Sequence, residues 1–415
     1  MNEAKSNEWL SRFGLMRVGD VKMKKAYICT HANFPRKDAV SNYIYSLAKC
    51  LQLIGYKVMI VSRGCNSGED WRDQEEHYVY RGICYDAIGE RPKSLAGIVR
   101  RYFYESRQVL GKLKSNTLTE GDCIFVCSIN YFYVRDIYKY AKKRKVELYT
   151  CILEHYQPFQ YKRGRWNPVF WMERLGFQFG IPINRKVIVI SQYLQHYFNE
   201  KNCKTFILPP LVDVEEYRCE ESNRSKTDFC NIIYSGNPSG KDDMNVMVRA
   251  ILKVNKKNKV KIRFHITGCS EKQIRKACNF VDEEWEDLKQ SIYIHSWMEY
   301  EELIKLYWNM DFFLLARHKN RVTLANFPSK VPELMACGVI PIVSEVGDYT
   351  RLYVQDGQNG IVFQNCSVDE CAAAIERAVK LTDEEKEILS YNAQIMVKEK
   401  LDYHMWGQKM KDFLE

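Results

Sequence analysis

The sequence NFPSKVPELMACGVIPIVSEVG, residues 326–347, decides the prediction of the fold. Pro328 and Ser329 stand where a helix would begin, because proline and serine are both favoured at helix starts. Apolar residues then recur with helical spacing until Gly338 ends the helix. Residues 339–343 form a continuous apolar run, which is typical of a buried parallel strand. The stretch therefore predicts a helix, a buried strand and a glycine loop in succession.

The start of this predicted helix carries chemistry as well as structure. Its first backbone N–H groups are free and Lys330 lies beside them, and such a start favours phosphate. Glu333 follows one turn later, and a carboxylate suits the diol of a sugar. The stretch therefore predicts a nucleotide-sugar site.

Length and composition set the class of protein. The chain has 415 residues, of which 46% are hydrophobic and 13% aromatic, as in a globular protein. This length predicts two domains. No apolar run approaches 18 residues, so we expect no membrane span. Residues 1–22 lack the order of a secretory signal and are interpreted as an N-terminal extension or a short amphipathic helix.

The 15 cysteines do not have the spacing of a metal site or a disulfide framework. No CxxC pair occurs, and Cys123 and Cys127 lie on a predicted buried strand. Cys29, Cys151 and Cys337 also fall in apolar segments, where free cysteines act as small buried hydrophobes. We therefore predict no metal, and thiols that stay reduced inside a cell.

Charge is unevenly distributed along the chain. Residues 1–208 hold 34 Lys and Arg against 19 Asp and Glu, whereas residues 209–415 hold 28 against 33. The two halves thus carry balances of +15 and −5, and the whole chain +10. The basic half could face anionic lipid, a phosphate-bearing acceptor or nucleic acid, or carry solvated lysines without a partner.

Both halves alternate apolar strand patterns with amphipathic helix patterns, which predicts parallel sheets. Pro209-Pro210 marks the linker between the halves. We predict an α/β protein with two doubly wound, Rossmann-like domains, residues 23–208 and 209–400, facing across a cleft. Residues 401–415 are predicted to form a helix that packs back toward the first domain. Ligands would lie at the carboxyl ends of the strands, between the domains.

Three further motifs surround the opening stretch: SGNPSGKDDMN (residues 235–245), LPPLVDVEEY (208–217) and DGQNGIVF (356–363). Together with THANFPRKDAVSNYIYSLAKC in the first half, they resemble the GT-B glycosyltransferases of family 4, the group 1 type. The resemblance covers nearly the whole chain from Met23. It implies a GT-B fold, a nucleotide-sugar donor in the C-terminal domain and an acceptor in the N-terminal domain. It also implies retention of anomeric configuration and no required metal or other cofactor.

The resemblance assigns donor-binding roles around the opening stretch. Glu333 matches the second glutamate of the family's pair, which binds the donor ribose. The first glutamate falls on Ala325, which cannot do that work, and Asn326 beside it is a candidate for a hydrogen bond to the sugar. Ser329 and Lys330 match a subset of the family in which FPSK faces the diphosphate.

Cations are needed because negative charge grows on the leaving diphosphate. Lys241, in the loop that also contains Gly236 and Asn237, matches the lysine that steadies this group. The family's arginine is missing from the loop, so Arg317 or Arg321 is the candidate for the second cation. Two residues are interpreted either as lining the nucleotide base or as core packing: Trp297 and Met298.

In the first half, Glu154 and His155 follow a predicted strand. The resemblance implies that a histidine or acid at this place touches the donor sugar, so both are interpreted either as catalytic residues or, as is common for a lone histidine, as structural ones. Asn33, Arg36 and Lys37, after the first strand, would reach the acceptor or the diphosphate, or form a solvated loop. The segment YKRGRWNPVFWMERLGFQFG (residues 161–180) interleaves basic and aromatic residues. It is interpreted either as core packing or as a basic amphipathic surface on an anionic membrane.

The leading hypothesis is a cytoplasmic retaining glycosyltransferase, peripheral at the inner membrane face if the basic half binds lipid. It would move a sugar from a UDP- or GDP-sugar, with UDP favoured, to a glycan or lipid-linked acceptor, in bacterial surface polysaccharide synthesis. A nucleotide-sugar epimerase and a degenerate GT-B binding subunit are the alternatives. No nucleic-acid partner is predicted, because no helix-turn-helix, zinc ligand set or RNA-binding motif is present.

Overall fold

The computed structural model describes residues 23–35, 38–63, 77–89, 94–116, 118–219, 229–237, 240–257, 261–280 and 282–415. Within these residues the chain forms two sheets, one from each half. The predicted extension, residues 1–22, lies outside the described residues.

The first sheet has eight strands in the order β3-β4-β2-β1-β5-β6-β7-β8. The strands are β1 Lys25–Asn33, β2 Lys57–Arg63, β3 Tyr78–Tyr80, β4 Ile83–Ala87, β5 Cys123–Cys127, β6 Glu147–Ile152, β7 Lys186–Val189 and β8 Lys204–Ile207. All neighbours pair in parallel except β3 and β4, which form an antiparallel hairpin. This hairpin was not predicted, because its two strands are short and of mixed polarity.

Helices connect these strands. They are α1 Ala39–Leu53, α2 Leu95–Ser115, α3 Tyr131–Arg144, α4 Pro168–Leu175 and α5 Gln192–Asn199. A π-helical turn, Gly176–Gly180, continues α4, and 3-10 turns flank it at Pro158–Gln160, Gly164–Trp166 and Ile181–Asn184. Polar side chains cap several of these helices. Asn130, for example, accepts hydrogen bonds from the backbone of Phe132 and Tyr133 at the start of α3.

The second sheet has six strands in the order β11-β10-β9-β12-β13-β14, and all neighbours are parallel. The strands are β9 Phe229–Ser235, β10 Lys261–Thr267, β11 Ile292–Ile294, β12 Phe312–Leu315, β13 Ile340–Ser344 and β14 Ile361–Phe363. The helices are α6 Met244–Lys257, α7 Glu271–Cys278, α8 Asp282–Lys289, α9 Tyr300–Trp308, α10 Arg321–Leu324, α11 Lys330–Ala336, α12 Val368–Val379, α13 Asp383–Lys400 and α14 Gly407–Leu414. The opening stretch of sequence thus folds as α11 and β13.

The apolar strand runs explain both sheets. β5, β12 and β13 are almost wholly buried, as expected for strands covered by helices on both faces. Cys29, Cys123, Cys151 and Cys337 are buried free thiols, as the sequence predicted. The strand order reverses direction between β1 and β5 in one sheet and between β9 and β12 in the other. The predicted α/β fold with two doubly wound sheets is therefore confirmed.

The chain crosses between the two sheets twice, and the two crossings pair with each other. Val212 in the first crossing donates its N–H to the carbonyl of Leu401 (3.0 Å), and its own carbonyl accepts from the N–H of Tyr403 (3.0 Å). The Asp402 carboxylate also accepts from the backbone N–H of Val214 (3.1 Å). Helix α14 then packs on the first half, where Gly407 contacts Leu53 of α1. The two crossings thus form one hydrogen-bonded connection between the halves.

Gly176 allows the irregular region after α4 to pack directly on the backbone before α3. A Cβ atom at this position would lie 1.8 Å from the carbonyl oxygen of Ile129. We expect Gly176→Ala to lower the free energy of unfolding by about 3 kcal/mol or more, because both clashing groups are backbone. Thermal unfolding followed by circular dichroism measures this. Gly111→Ala, in the exposed face of α2 where nothing lies within 4 Å, is the control and should be neutral or stabilising. Equal melting temperatures for the two variants would contradict the packing described.

Candidate active site

Predicted donor residues follow the carboxyl ends of β9 and β12, the two strands between which the strand order of the second sheet reverses. The loop after β9 contains Gly236 and Lys241, and Arg317 follows β12. Glu154 approaches from the other half, just after β6. Because the carboxyl ends of parallel strands meet at one edge of a sheet, these distant sequence segments converge.

One polar chain links these residues across the cleft. The Lys241 ammonium group donates to Glu154 Oε1. Asn326 Nδ2 donates to the same oxygen (3.3 Å), and Asn326 Oδ1 accepts from an Arg317 Nη atom (3.0 Å). The Arg317 Nε group donates in turn to Asp242 Oδ1 (2.5 Å). Four sequence-predicted site residues therefore lie in a single network.

Arg317 is the buried centre of this network. Its side chain is only 6% exposed. Burial opposes its charge, but the adjacent Asp242 carboxylate, with smaller contributions from Tyr349 and Tyr234, offsets burial and raises the pKa of Arg317. Asp242 accepts a second hydrogen bond from Tyr234 Oη (2.8 Å), and the Arg317 backbone N–H donates to Ser344 Oγ (2.8 Å). The guanidinium group is thus fixed in place before any ligand arrives.

Half-buried Lys330 and buried Glu333 form a second ion pair one turn apart on α11. Lys330 Nζ donates to Glu333 Oε2 (2.7 Å), and Glu333 is 2% exposed. Burial disfavours the ammonium group, but the Glu333 carboxylate more than offsets this and raises the pKa of Lys330. Glu333 Oε1 accepts from Asn42 Nδ2 (3.2 Å), which belongs to α1 in the other half. This pair therefore also bridges the cleft.

Two cavities lie on either side of α11. The strand-end pocket is lined by the ends of β9 and β12 and the start of α11, including Gly236, Asp242, Arg317, Ser329 and Lys330. The linker cavity lies beside α1 and the first crossing between the halves and is lined by Asn42, Ser329 and Glu333 among others. Ser329 contacts both, and its side chain makes no capping hydrogen bond. Lys330 and Glu333 therefore face different cavities although they are paired.

A third cavity, the outer cavity, opens beside the Lys241–Glu154 pair. Its other lining residues are Tyr156, Gln160, Tyr161 and Glu173. Tyr161 Oη donates to the Glu173 carboxylate, which joins the 3-10 turn to α4. The outer cavity thus lies between the cleft network and the irregular region that follows β6.

His155 follows Glu154 but its ring points into an aromatic cluster. It stacks on Phe177 with ring centroids 4.3 Å apart and an interplanar angle of 11°. Burial, with smaller contributions from Arg321 and Arg174, lowers the pKa of His155 to about 4. Its Nδ1 atom is buried without a hydrogen-bond partner among the described residues. The structure therefore places a neutral imidazole beside the network.

The remaining predicted residues are not part of the network. Asn33 ends β1 beside Arg63, and Asn237 is exposed in the loop after β9. Arg321 is exposed and makes no ion pair with any described residue. Trp297 is 82% exposed, which excludes the core-packing interpretation for it, while Met298 is half-buried. Arg36 and Lys37 lie outside the described residues.

Sequence reasoning missed Asp242 and Asn42. Asp242 is adjacent to Lys241 and could have been noticed as a possible partner for a nearby arginine. Asn42 had no signal, because it lies in an ordinary helix 291 positions before Glu333. Only the structure shows that Asp242 pairs with Arg317 and that Asn42 donates a hydrogen bond to Glu333.

These two halves, with a polar cleft at their strand ends, define a protein of the GT-B fold. Residues 218–396 match the family described as glycosyl transferases, group 1. Over these residues the chain is similar to the group 1 glycosyl transferases, which confirms the predicted resemblance to that type. No curated protein sequence gives a significant match.

Solved structures agree on the fold. A glycosyltransferase from Rickettsia africae ESF-5 superposes with a TM-score of 0.67 at 14% identity, over 94% of this chain and 99% of that chain. Sucrose-phosphate synthase from Thermosynechococcus elongatus gives 0.67 at 13% identity, over 94% and 98%. Anabaena HepE, in complex with UDP and glucose, gives 0.69 at 13% identity, over 94% and 99%. Such identities show the fold alone. Among the described residues, no helix has the length and apolar character to cross a membrane.

The buried Arg317–Asp242 pair generates a stability prediction. Asp242→Ala would leave the Arg317 charge buried without its counter-charge, so the free energy of unfolding should fall by about 3–5 kcal/mol. Urea unfolding measures it. Asp369→Ala is the control, since it breaks an exposed pair with Lys253 and should cost about 1 kcal/mol or less. Similar losses for both variants would show that Arg317 is not held by Asp242.

His155 generates a pH prediction. Its pKa of about 4 in the native state lies below the value near 6.5 of an unfolded histidine. Between these values the unfolded chain binds a proton that the native state does not, so the free energy of unfolding falls as pH falls from 6.5 to 4. His155→Phe, which can keep the stack on Phe177, should remove about 1–3 kcal/mol of that fall. Urea unfolding at pH 7 and pH 4.5 measures it. His196→Gln, at an exposed histidine of α5, should leave the pH dependence unchanged. An unaltered pH dependence in His155→Phe would refute the assignment.

Proposed function

We propose that this protein transfers a sugar, with retention of configuration, from a UDP-sugar to a glycan or lipid-linked acceptor. The observation that carries the proposal is the clustering of three cations, Lys241, Arg317 and Lys330, at the strand ends of the group 1 domain. Cleavage of the sugar–phosphate bond leaves growing negative charge on the diphosphate, and fixed cations stabilise it.

Each of these cations is already positioned by a carboxylate. Glu154 holds Lys241, Asp242 holds Arg317 and Glu333 holds Lys330. Positioning before binding reduces the reorganisation needed during the reaction, which is the origin of most electrostatic catalysis. We propose that the diphosphate lies in the strand-end pocket against Arg317, Lys330 and the Ser329 hydroxyl group.

The choice of UDP is supported by the solved structures with this fold. Anabaena HepE is in complex with UDP and glucose, and an E. coli protein of the same fold is bound with UDP-2-fluoro glucose. We propose that Glu333 binds the ribose after exchanging its hydrogen bond from Asn42. Trp297, which is exposed on the loop after β11, and Met298 would then cover the base.

The reacting carbon would lie between the strand-end pocket and the outer cavity, where Asn326, Glu154 and Lys241 meet. In this proposal the leaving phosphate accepts the proton of the acceptor hydroxyl group on the same face of the sugar, which gives retention. No metal is required, because the three cations supply the positive charge. His155, being neutral, would support the sugar by packing or through a hydrogen bond and would not act as an acid.

Donor hydrolysis tests the proposal without an acceptor. Release of UDP from a panel of UDP-sugars should be measurable, should persist in EDTA, and should fall at least 100-fold in Lys241→Ala, since one charge-stabilising group is lost. Lys257→Ala is the matched control, because Lys257 pairs with Glu376 on the surface of the same domain. It should retain full activity.

The binding of nucleotides separates the alternatives. Calorimetry should show that UDP binds to the wild-type protein more tightly than GDP or ADP. Conversion of the donor sugar without UDP release would favour an epimerase, and no nucleotide binding at all would favour a degenerate binding subunit. Full hydrolysis by Lys241→Ala would contradict the role given to this lysine.

A further inference from the structure

Large hydrophobic side chains are exposed in one short segment of the N-terminal half. Of the 18 exposed large hydrophobic residues in the described chain, seven lie within residues 156–183. They are Tyr156, Phe159, Trp166, Trp171, Leu175, Phe179 and Ile183. Trp166 is 89% exposed and Phe179 63%. Such crowding is not the scattered exposure that is normal on a soluble surface.

The same segment is basic. Lys162, Arg163, Arg165 and Arg174 are all exposed, and Glu173 is the only acidic residue among residues 156–183, giving a net charge of +3. Arg174 lies over the Trp171 ring at 5.6 Å, and the Trp171 indole N–H donates to the Arg165 carbonyl (2.8 Å). Arg165, Trp171 and Arg174 are therefore adjacent. We call the exposed hydrophobic and basic residues of the segment 156–183 the Trp171 face.

The segment is amphipathic, with its other aromatic residues turned inward. Phe170 and Phe177 are buried, and Phe177 packs on His155 and Phe198. The sequence left open whether these aromatic residues form a core or a surface, and the structure divides them between both. The exposed set therefore cannot be explained as incomplete core packing.

The segment is rigidly placed relative to the cleft. Gly176 and Gly180 pack on Ile129 and Tyr131 at the start of α3. Gln160, Tyr161 and Glu173, on its inner side, line the outer cavity together with Lys241 and Glu154. One structural unit thus has the Trp171 face outside and a wall of the candidate active site inside.

A second group of exposed aromatic residues flanks the same start of α3. Phe103 and Tyr104 of α2 are exposed, and the Phe103 ring contacts Phe132 with centroids 4.8 Å apart. Arg107 lies over the Tyr104 ring at 4.5 Å, and Arg135 lies over Phe132 at 5.0 Å. Aromatic rings accompanied by arginine thus continue from the segment onto α2 and α3.

We propose that the Trp171 face docks this protein on an anionic lipid surface. Tryptophan and arginine together suit the membrane interface, where indole rings lie at the headgroups and cations attract anionic lipid. The balance of +15 over residues 1–208 adds long-range attraction to the same half. Binding is peripheral and reversible, because the segment presents one apolar face and not a spanning helix.

Docking on a lipid surface also decides between a free glycan and a lipid-linked molecule as the acceptor. This choice of acceptor rests on the proposed function. With the outer wall of the cavity on the lipid surface, an acceptor anchored in the membrane reaches Glu154 and Lys241 from the side of Tyr156 and Gln160. The acceptor is therefore assigned to the lipid-linked class, and its sugar or phosphate headgroup would enter the outer cavity.

Vesicle flotation with the full-length protein tests docking directly and needs no nucleotide. The protein should float with phosphatidylcholine vesicles containing 30 mol% phosphatidylglycerol, chosen as the anionic probe, at about 0.1 M salt and not with pure phosphatidylcholine. The double variant Trp166→Ser/Trp171→Ser and the triple variant Lys162→Glu/Arg163→Glu/Arg165→Glu should each bind at least tenfold more weakly. Raising the salt concentration to about 0.5 M should weaken the binding of the wild-type protein to these vesicles, because salt screens the attraction between its cations and the anionic lipid.

Matched controls separate the Trp171 face from general charge and apolar character. Ile388→Ser/Tyr391→Ser removes two exposed hydrophobic residues of α13, and Lys142→Glu/Lys143→Glu/Arg144→Glu reverses three charges at the far end of α3. The first control should float like the wild-type protein, and the second should lose much less binding than the triple variant of the Trp171 face, because it lowers only the long-range attraction. No flotation of the wild-type protein, or equal losses in face and control variants, would overturn the proposal and would favour a protein partner for this face.

Donor hydrolysis keeps the two proposals separate. The face variants should release UDP from a soluble UDP-sugar at the wild-type rate, since they leave Lys241 and Arg317 untouched. Flotation without hydrolysis would refute the proposed function and leave docking standing. Hydrolysis without flotation would refute docking and leave the proposed function standing. If both occur, transfer to a lipid-linked acceptor in anionic vesicles should be faster for the wild-type protein than for the face variants, and equal rates would overturn the assignment of the acceptor.

Discussion

The neutralisation of cleft cations by carboxylates is the interaction on which the rest of this site depends. Lys241, Arg317 and Lys330 lie near one edge of a parallel sheet, where each charge is largely removed from water. Glu154, Asp242 and Glu333 supply the opposite charges. A buried ion pair costs desolvation that its attraction only partly returns, so such pairs stabilise little by themselves. Their physical role is to keep the cations in place at the edge of the sheet.

Two of these pairs also take part in contacts between the two halves of the protein. Glu154 comes from the first half and Lys241 from the second, and Asn42 reaches Glu333 across the same cleft. A diphosphate that binds to these cations competes with the carboxylates that hold them. On the proposed function, donor binding therefore alters the contacts between the halves as well as filling a pocket. The paired crossings at Val212 and Leu401 connect the halves by backbone hydrogen bonds that do not involve these side chains.

Much of the architecture could be predicted from the sequence, for a physical reason. Parallel strands covered on both faces require continuous apolar runs, and these runs are visible in β5, β12 and β13 without any structure. The α11–β13 unit was predicted to within a residue at its start and end. The β3–β4 hairpin was missed, because three to five residues with mixed polarity carry no comparable signal.

The candidate site, too, could be predicted only where its residues belong to short sequence motifs. The family resemblance identified the cations, because they occur in short motifs, but not their partners across the cleft. Contacts such as Asn42 to Glu333 join positions 291 apart, and no local pattern encodes them. Periodicity likewise could not say which aromatic residues of the segment after β6 face inward. Phe170 and Trp171 are neighbours in sequence, yet one is buried and the other exposed.

The opposite exposure of Phe170 and Trp171 shows how one short helix can contribute both to the protein core and to an exposed surface. Because adjacent helical positions point about 100° apart, a short helix can pack one aromatic ring on the core and present the next to solvent. In α4 the inward positions also include Glu173, which lines the outer cavity, while Arg174 lies outside over Trp171. The position of the Trp171 face relative to the cleft is therefore set by the helix itself. A lipid surface bound at that face would hold the outer cavity at a fixed height above the headgroups, which is the geometry that a membrane-anchored acceptor requires.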